Sequence, residues 1–197
     1  MYSSQVTIWF KYVIIGIISL RDMRRGLKCI SDPNRRKYLA LVLNEIKSEF
    51  RNSLVSCVLY GSVARGDDDK HSDIDLLLVL DTDMSYGERC TMLGRVLTRV
   101  YKTDLAQRLL EMGYNIFVEF YPLNITEASV FRPIYLDMIH DAVILYDRNN
   151  FFEKVLNRVS KLLKKLGSKR IWLGEKEWIW VIKPDICFGE EVSYELE

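Results

Sequence analysis

The stretch Leu54-Val-Ser-Cys-Val-Leu-Tyr60-Gly61-Ser62-Val-Ala-Arg65-Gly-Asp-Asp-Asp-Lys-His-Ser72-Asp73-Ile-Asp75-Leu-Leu-Leu-Val-Leu80 decides the reading of this chain. Its two ends, residues 54–60 and 74–80, are short apolar runs rich in Val and Leu and bounded by polar turns, as strands buried in a core are. The polar connection between them opens on a small-residue turn, Gly61-Ser62. Strand residues two apart share a face, so Asp73 and Asp75 present neighbouring carboxylates about 7 Å apart. Like charges at the end of an apolar strand repel and lose solvation unless a cation neutralises them. A hard divalent ion such as Mg²⁺, liganded by oxygen and usually shared with substrate phosphates, answers that need. An isolated Asp-x-Asp would be read more simply as a solvated strand start.

Here the pair is not isolated. A glycine at the end of the first strand lets backbone approach a ligand closely, and a helical turn after it would aim free N–H groups at phosphate oxygens. The Ser62 hydroxyl adds a donor. Arg65, one turn on, is placed either to reach a phosphate or to pair with Asp67 or Asp68. Lys70 is a weaker phosphate candidate in a solvated charge run, and Asp81 and Asp83 lie beyond the far end of the Asp75 strand.

Outward from this centre, Asp32-Pro33 reads as an N-cap followed by proline at the first helical position. Tyr38, Leu41, Val42, Ile46 and Phe50 then recur at helical spacing. Ser85 and Glu88 form a capping box ahead of the apolar face Leu93, Val96, Leu97, Val100 and Tyr101. A second helical piece runs from Asp104 to Gly113. Residues 115–121 read as a strand, 133–140 as a short helix and 142–146 as a further strand. The order predicts an α/β (α+β) fold with a small mixed sheet flanked by helices. Residues 151–166 read as a surface helix, and residues 170–183 as a β-hairpin turning at Gly174-Glu175-Lys176. The expected division is an N-terminal apolar and basic segment, 1–30, a core, 31–147, and a C-terminal helix and hairpin, 148–197.

Gly-Ser, ten residues, then Asp-x-Asp resembles the signature of the DNA polymerase β nucleotidyltransferase superfamily. The compact size resembles the minimal nucleotidyltransferases in particular, and the likeness spans about residues 54–121. The resemblance implies a third carboxylate on a neighbouring strand. Glu119 in Asn-Ile-Phe-Val-Glu-Phe-Tyr is the candidate, although Asp is more usual there. It further implies Asp73, Asp75 and Glu119 as catalytic and metal-ligating residues, and Gly61, Ser62 and Arg65 as the nucleotide-binding set. The cofactor would be Mg²⁺, as two ions, or Mn²⁺, and the substrate an NTP, above all ATP. Its implied reaction is AMP transfer to a hydroxyl acceptor. Similar small proteins are often antitoxins of HEPN-domain toxins, so a tyrosine of a toxin partner is one expected acceptor. A non-catalytic antitoxin-type module that neutralises such a partner by contact is the alternative.

The net charge of +1 offers no whole-molecule field for nucleic acid or anionic membrane, which argues against a templated polymerase or tRNA-adding enzyme. Lys161, Lys164, Lys165, Lys169 and Arg170 read as a solvated helix face, and Trp172, Trp178 and Trp180 as cover for a core face rather than an interface. The scattered Cys29, Cys57, Cys90 and Cys187 suit reduced, mostly buried thiols in a cytoplasmic protein. His71 and His140 read as structural or exposed residues. The apolar stretch Val6 to Leu20 is short for a bilayer and contains Lys11. A packed helix, or residues upstream of a start at Met23, is favoured there over an interfacial anchor. Oligomeric state is left open.

Overall fold

The two apolar runs pair with each other. In a computed structural model that describes residues 23–192 and 195–196, β1 (Arg24–Arg25) is followed by α1 (Pro33–Phe50), β2 (Leu54–Tyr60), α2 (Gly61–Arg65), β3 (Ile74–Leu80), α3 (Tyr86–Tyr101), α4 (Asp104–Glu111) and β4 (Val118–Asn124). Then come α5 (Ile125–Ser129), α6 (Tyr135–Asp141), β5 (Val143–Asp147), α7 (Phe151–Lys165), β6 (Lys169–Trp172) and β7 (Trp178–Val181). The N-terminal apolar stretch expected as a packed helix, an anchor or an upstream segment lies outside the described residues.

Five strands form one mixed sheet in the order β1-β5-β2-β3-β4. Strand β2 runs antiparallel to both β3 and β5, whereas β3 is parallel to β4 and β1 to β5. Strand alternation divides the side chains between two cores. Ile74, Leu76, Leu78 and Leu80 of β3 face a cluster that contains Tyr38, Val42 and Ile46 of α1 and Leu93, Val96 and Val100 of α3. Leu77 and Val79 point the other way, into a cluster with Tyr135 and Met138 of α6 and Phe152, Val155 and Val159 of α7. At roughly 1.5–3 kcal/mol for each fully buried Leu or Val, these two faces fix the register of β3 and with it the positions of its aspartates.

Local signals explain the helix starts. Asp32 caps α1 by accepting from the Asn34 and Arg35 N–H groups at 2.7 and 3.1 Å. Both halves of the Ser85–Glu88 capping box are present on α3. A second box, Asn124 with Glu127, starts α5, a helix absent from the sequence reading. The strand expected over residues 115–121 instead spans Val118–Asn124. Asn115 is engaged in the neighbouring loop: its N–H donates to the Lys70 carbonyl at 2.6 Å, and its side-chain oxygen accepts from the Phe117 N–H at 2.9 Å. Pro122 is tolerated in β4 because this strand forms an edge of the sheet.

The C-terminal hairpin β6–β7 is a separate two-stranded sheet that is tied to the body of the protein through Trp178 and Trp180. The Trp178 and Trp180 indole N–H groups both donate to Asp137 Oδ1 of α6, at 2.7 and 3.0 Å. Arg170, expected on a solvated face, is buried and pairs with Asp141 at 3.0 Å, because it lies on the inner face of β6; the four lysines are exposed as expected. His140 is half-buried and stacks on Trp180, whereas His71 is exposed. The cysteines are all free, but only Cys57 is fully buried; Cys29 and Cys90 are half-buried, and Cys187 lies exposed in the polar C-terminal stretch. Among the described residues no helix is long and apolar enough to cross a membrane.

Candidate active site

Strand register assembles the site at one end of the sheet. Asp75 lies opposite Glu119 across the parallel β3–β4 pair and opposite Tyr60 across the antiparallel β2–β3 pair. Asp73 immediately precedes β3. Carboxylate oxygens of Asp73, Asp75 and Glu119 thereby lie within 4.8 Å of one another, with both aspartates half-buried and Glu119 exposed. Three anionic groups at this spacing form a coherent set of hard donors for a divalent cation.

Gly61 closes the site from the β2 side. Its φ of +72° already favours glycine, and a side chain has no room: a Cβ would fall 2.0 Å from Asp75 Oδ2. Gly61 opens α2, a single turn that ends at the left-handed Gly66, φ +84°. The Ser62 carbonyl accepts from the Gly66 and Asp67 N–H groups at 2.8 and 3.3 Å, which folds the connection back toward β3.

The electrostatics follow from this crowding. Burial first, then the charges of Asp73 and Glu119, push the Asp75 carboxyl from 3.8 up to about 6, with Arg65 opposing. Burial, followed by Asp75, Glu119, Tyr121 and Asp73, keeps the Tyr60 phenol protonated well above its usual range. Arg65 pairs with Asp67 at 3.1 Å and lies over the Trp178 ring. Lys70 instead donates to the Met112 carbonyl at 3.1 Å, on the exposed surface.

The sequence reading missed the residue that ties the site's two approach loops together. Arg35 of α1 is only 2% exposed, and its guanidinium donates to the carbonyls of Asn115 at 2.7 Å, Asp69 at 2.8 Å and Ser72 at 2.6 Å. Its Nε lies 3.6 Å from Asp68 Oδ2. Ser72 leads directly into Asp73, and Asn115 lies at the approach to β4. A single buried cation therefore sets how the Asp73–Asp75 and Glu119 segments meet. The signal was legible: Arg35 falls on the buried stripe of α1, three residues before Tyr38.

Residues 39–128 match the family model described as a nucleotidyltransferase domain. A Methanocaldococcus jannaschii protein described as "Putative protein adenylyltransferase MJ1305" is 30% identical over 140 residues, which cover 69% of this chain and 87% of that relative. The chain belongs to the nucleotidyltransferase family. A second relative from the same organism, "Putative protein adenylyltransferase MJ0604", is 41% identical over 61 residues, 30% of this nucleotidyltransferase and 61% of the relative. A solved structure described as a toxin–antitoxin with AMP-PNP superposes with a TM-score of 0.42 and 13% identity, covering 64% of this chain and 90% of that one. That likeness is too distant to bear on partner or mechanism.

As a minimal nucleotidyltransferase the chain transfers a nucleoside monophosphate from a triphosphate. The matched segment includes β2, α2, β3 and β4, and so every carboxylate of the cluster. Helix α7 and the β6–β7 hairpin lie after it.

Proposed function

We propose that this nucleotidyltransferase moves AMP from ATP to a hydroxyl group of a protein, in a reaction that depends on a divalent metal. The convergence of Asp73, Asp75 and Glu119 beside a glycine that excludes any side chain carries this reading. The donor set suits Mg²⁺ or Mn²⁺, since every ligand is a hard oxygen and the half-buried Asp75 is destabilised as an anion without a cation. Asp73 and Asp75 would hold one ion and all three carboxylates a second. When bound, such ions neutralise triphosphate charge and lower the pKa of an acceptor hydroxyl.

The remaining work falls to the chain itself. Gly61 allows the backbone close to the triphosphate, the Ser62 hydroxyl donates to a phosphate oxygen, and Arg65 supplies positive charge. Glu119, exposed at the rim, takes the acceptor proton as the hydroxyl oxygen bonds to the α-phosphorus. The bond from that phosphorus to pyrophosphate breaks, and pyrophosphate leaves. A protein acceptor is supported by the description of the relatives as protein adenylyltransferases. The more specific acceptor, a tyrosine of a HEPN-domain toxin partner, rests on the resemblance to minimal nucleotidyltransferases.

The test is incubation with α-labelled ATP, Mg²⁺ and the product of the neighbouring gene, for wild type and for Asp73→Ala/Asp75→Ala. Label transferred by wild type alone, and lost with EDTA, is the expected result. Neutralisation of the partner by the double variant, with no label transferred by either protein, would overturn the enzymatic reading.

A further inference from the structure

The C-terminal hairpin reaches the nucleotide-binding turn through two separate contacts. The guanidinium of Arg65 lies over the Trp178 ring, its Cζ 5.2 Å from the ring centroid. Beyond it, Lys176 at the hairpin turn donates to the Asp67 carbonyl at 2.9 Å, and Asp67 is the carboxylate partner of Arg65. The ring is itself held firmly. Its indole N–H donates to Asp137 at 2.7 Å, Arg170 stacks over it at 3.9 Å, and Trp172 meets it edge to face at 5.1 Å. Arg170 is anchored in turn by Asp141 at 3.0 Å. A chain of buried or half-buried partners therefore runs from α6 through the hairpin to the single cation at the end of α2.

We propose that Trp178 is a positioning residue that holds Arg65 in place for the triphosphate, which makes the hairpin a working part of the nucleotide site. The inference rests on the reading of Arg65 as a phosphate-binding residue. A free arginine side chain loses considerable rotamer entropy when it clamps a phosphate. Arg65 sits at the end of a one-turn helix, where its own element offers little support. An aromatic face against the guanidinium removes much of that freedom beforehand without itself taking up an N–H group, so the benefit appears in nucleotide affinity. The hairpin's distance in sequence from the motif explains why a reading of residues 54–80 assigns it no such role.

Titration of the full chain with ATP and Mg²⁺ tests this. Trp178→Leu should weaken the Kd about fivefold, and Trp178→Phe, which keeps an aromatic face, should stay within about twofold of wild type. Arg65→Leu should weaken binding as well, and adding Trp178→Leu to it should weaken binding no further. Circular dichroism and melting temperature establish that each variant is folded, with Trp178→Met replacing the leucine variant should that one unfold. Unchanged affinity in a folded Trp178→Leu, or the same loss with and without Arg65, would overturn the positioning role while leaving the site itself intact. Should Arg65→Leu bind ATP as wild type does, the role of Arg65 falls and that of Trp178 with it. Absence of ATP binding by wild type would instead overturn the functional reading.

Discussion

Replacing Asp75 with Asn should stabilise the metal-free protein at neutral pH while abolishing its response to divalent ions. In the fold the Asp75 carboxyl is pushed from 3.8 to about 6, by burial first and then by Asp73 and Glu119. A raised carboxyl pKa means that the folded state holds the proton more tightly than the unfolded chain. The stability it contributes is fully present below 3.8 and is lost as the pH rises through about 6. A gap of about two units, each worth about 1.4 kcal/mol, sets an upper bound of about 3 kcal/mol, and solvent screening of this half-buried group brings the cost near pH 7.5 to about 1–2 kcal/mol. Near pH 4.5, where the folded protein holds the proton and the unfolded chain has largely lost it, about a third of that cost is left. Asparagine keeps the shape and cannot ionise. Urea unfolding in EDTA should therefore show the variant ahead by about 1–2 kcal/mol near pH 7.5, with a lead that shrinks to about a third of that near pH 4.5. Adding Mg²⁺ should raise wild-type stability and leave the variant unmoved. A variant less stable than wild type in EDTA at neutral pH, or a lead that is the same at both pH values, would refute the reasoning.

Glu119→Gln should lower transfer of label by about two orders of magnitude or more, while its exposed position keeps the change in unfolding free energy within about 0.5 kcal/mol; equal activity would remove Glu119 from the chemistry. Gly61→Ala places a methyl 2.0 Å from Asp75 Oδ2 and strains a backbone at φ +72°. We expect a stability loss of about 1–2 kcal/mol by calorimetry from the backbone alone, and loss of Mg²⁺ binding by titration as the carboxylate is displaced. Arg35→Leu strips donors from the carbonyls of Asn115, Asp69, Lys70 and Ser72 and leaves Asp68 without its buried partner, so chemical unfolding should show a loss of about 3–5 kcal/mol. Shortening to Lys should recover only part of it, because an ammonium cannot span carbonyls from two loops.

What could be read from the chain, and what could not, divides along physical lines. Asp73 and Asp75 were legible because strand periodicity acts over two residues, and the buried leucines around them leave one register. Glu119 lies 44 positions after Asp75, and the resemblance supplied the expectation of a carboxylate there; the β3–β4 pairing places it opposite Asp75. The start of β4 was misplaced because Ile116 and Phe117 look like strand residues in isolation, whereas a loop from before β3 captures Asn115. Helix α5 carried its capping box in plain view at Asn124 and Glu127, yet only five residues follow before the chain turns, too few for a periodic signal. Arg170 illustrates the opposite case. Its neighbours are lysines that do face water, and only the β6 pairing reveals that this one cation points inward to Asp141.

The charge balance at the sheet end bears on function more directly than the motif does. Arg65 is the cation that opposes the raised carboxyl of Asp75, and it is already engaged by Asp67 and Trp178. The guanidinium of Arg35 is turned to the loop carbonyls and Asp68. A sequence selected for stability alone would place an apolar or amide residue at position 75, where the neighbouring strand residues Leu76, Leu77, Leu78 and Val79 are fully buried. The fold instead keeps a half-buried carboxylate between two others and removes the side chain at Gly61 to make room for it. On the proposed function, positive charge from outside the cluster would stabilise this arrangement, and a divalent ion carried in with a triphosphate at Gly61 and Ser62 would supply it. On that proposal the cost of the uncompensated carboxylates and their affinity for an ion are two sides of one electrostatic term, and the Asp75→Asn comparison with and without Mg²⁺ measures both.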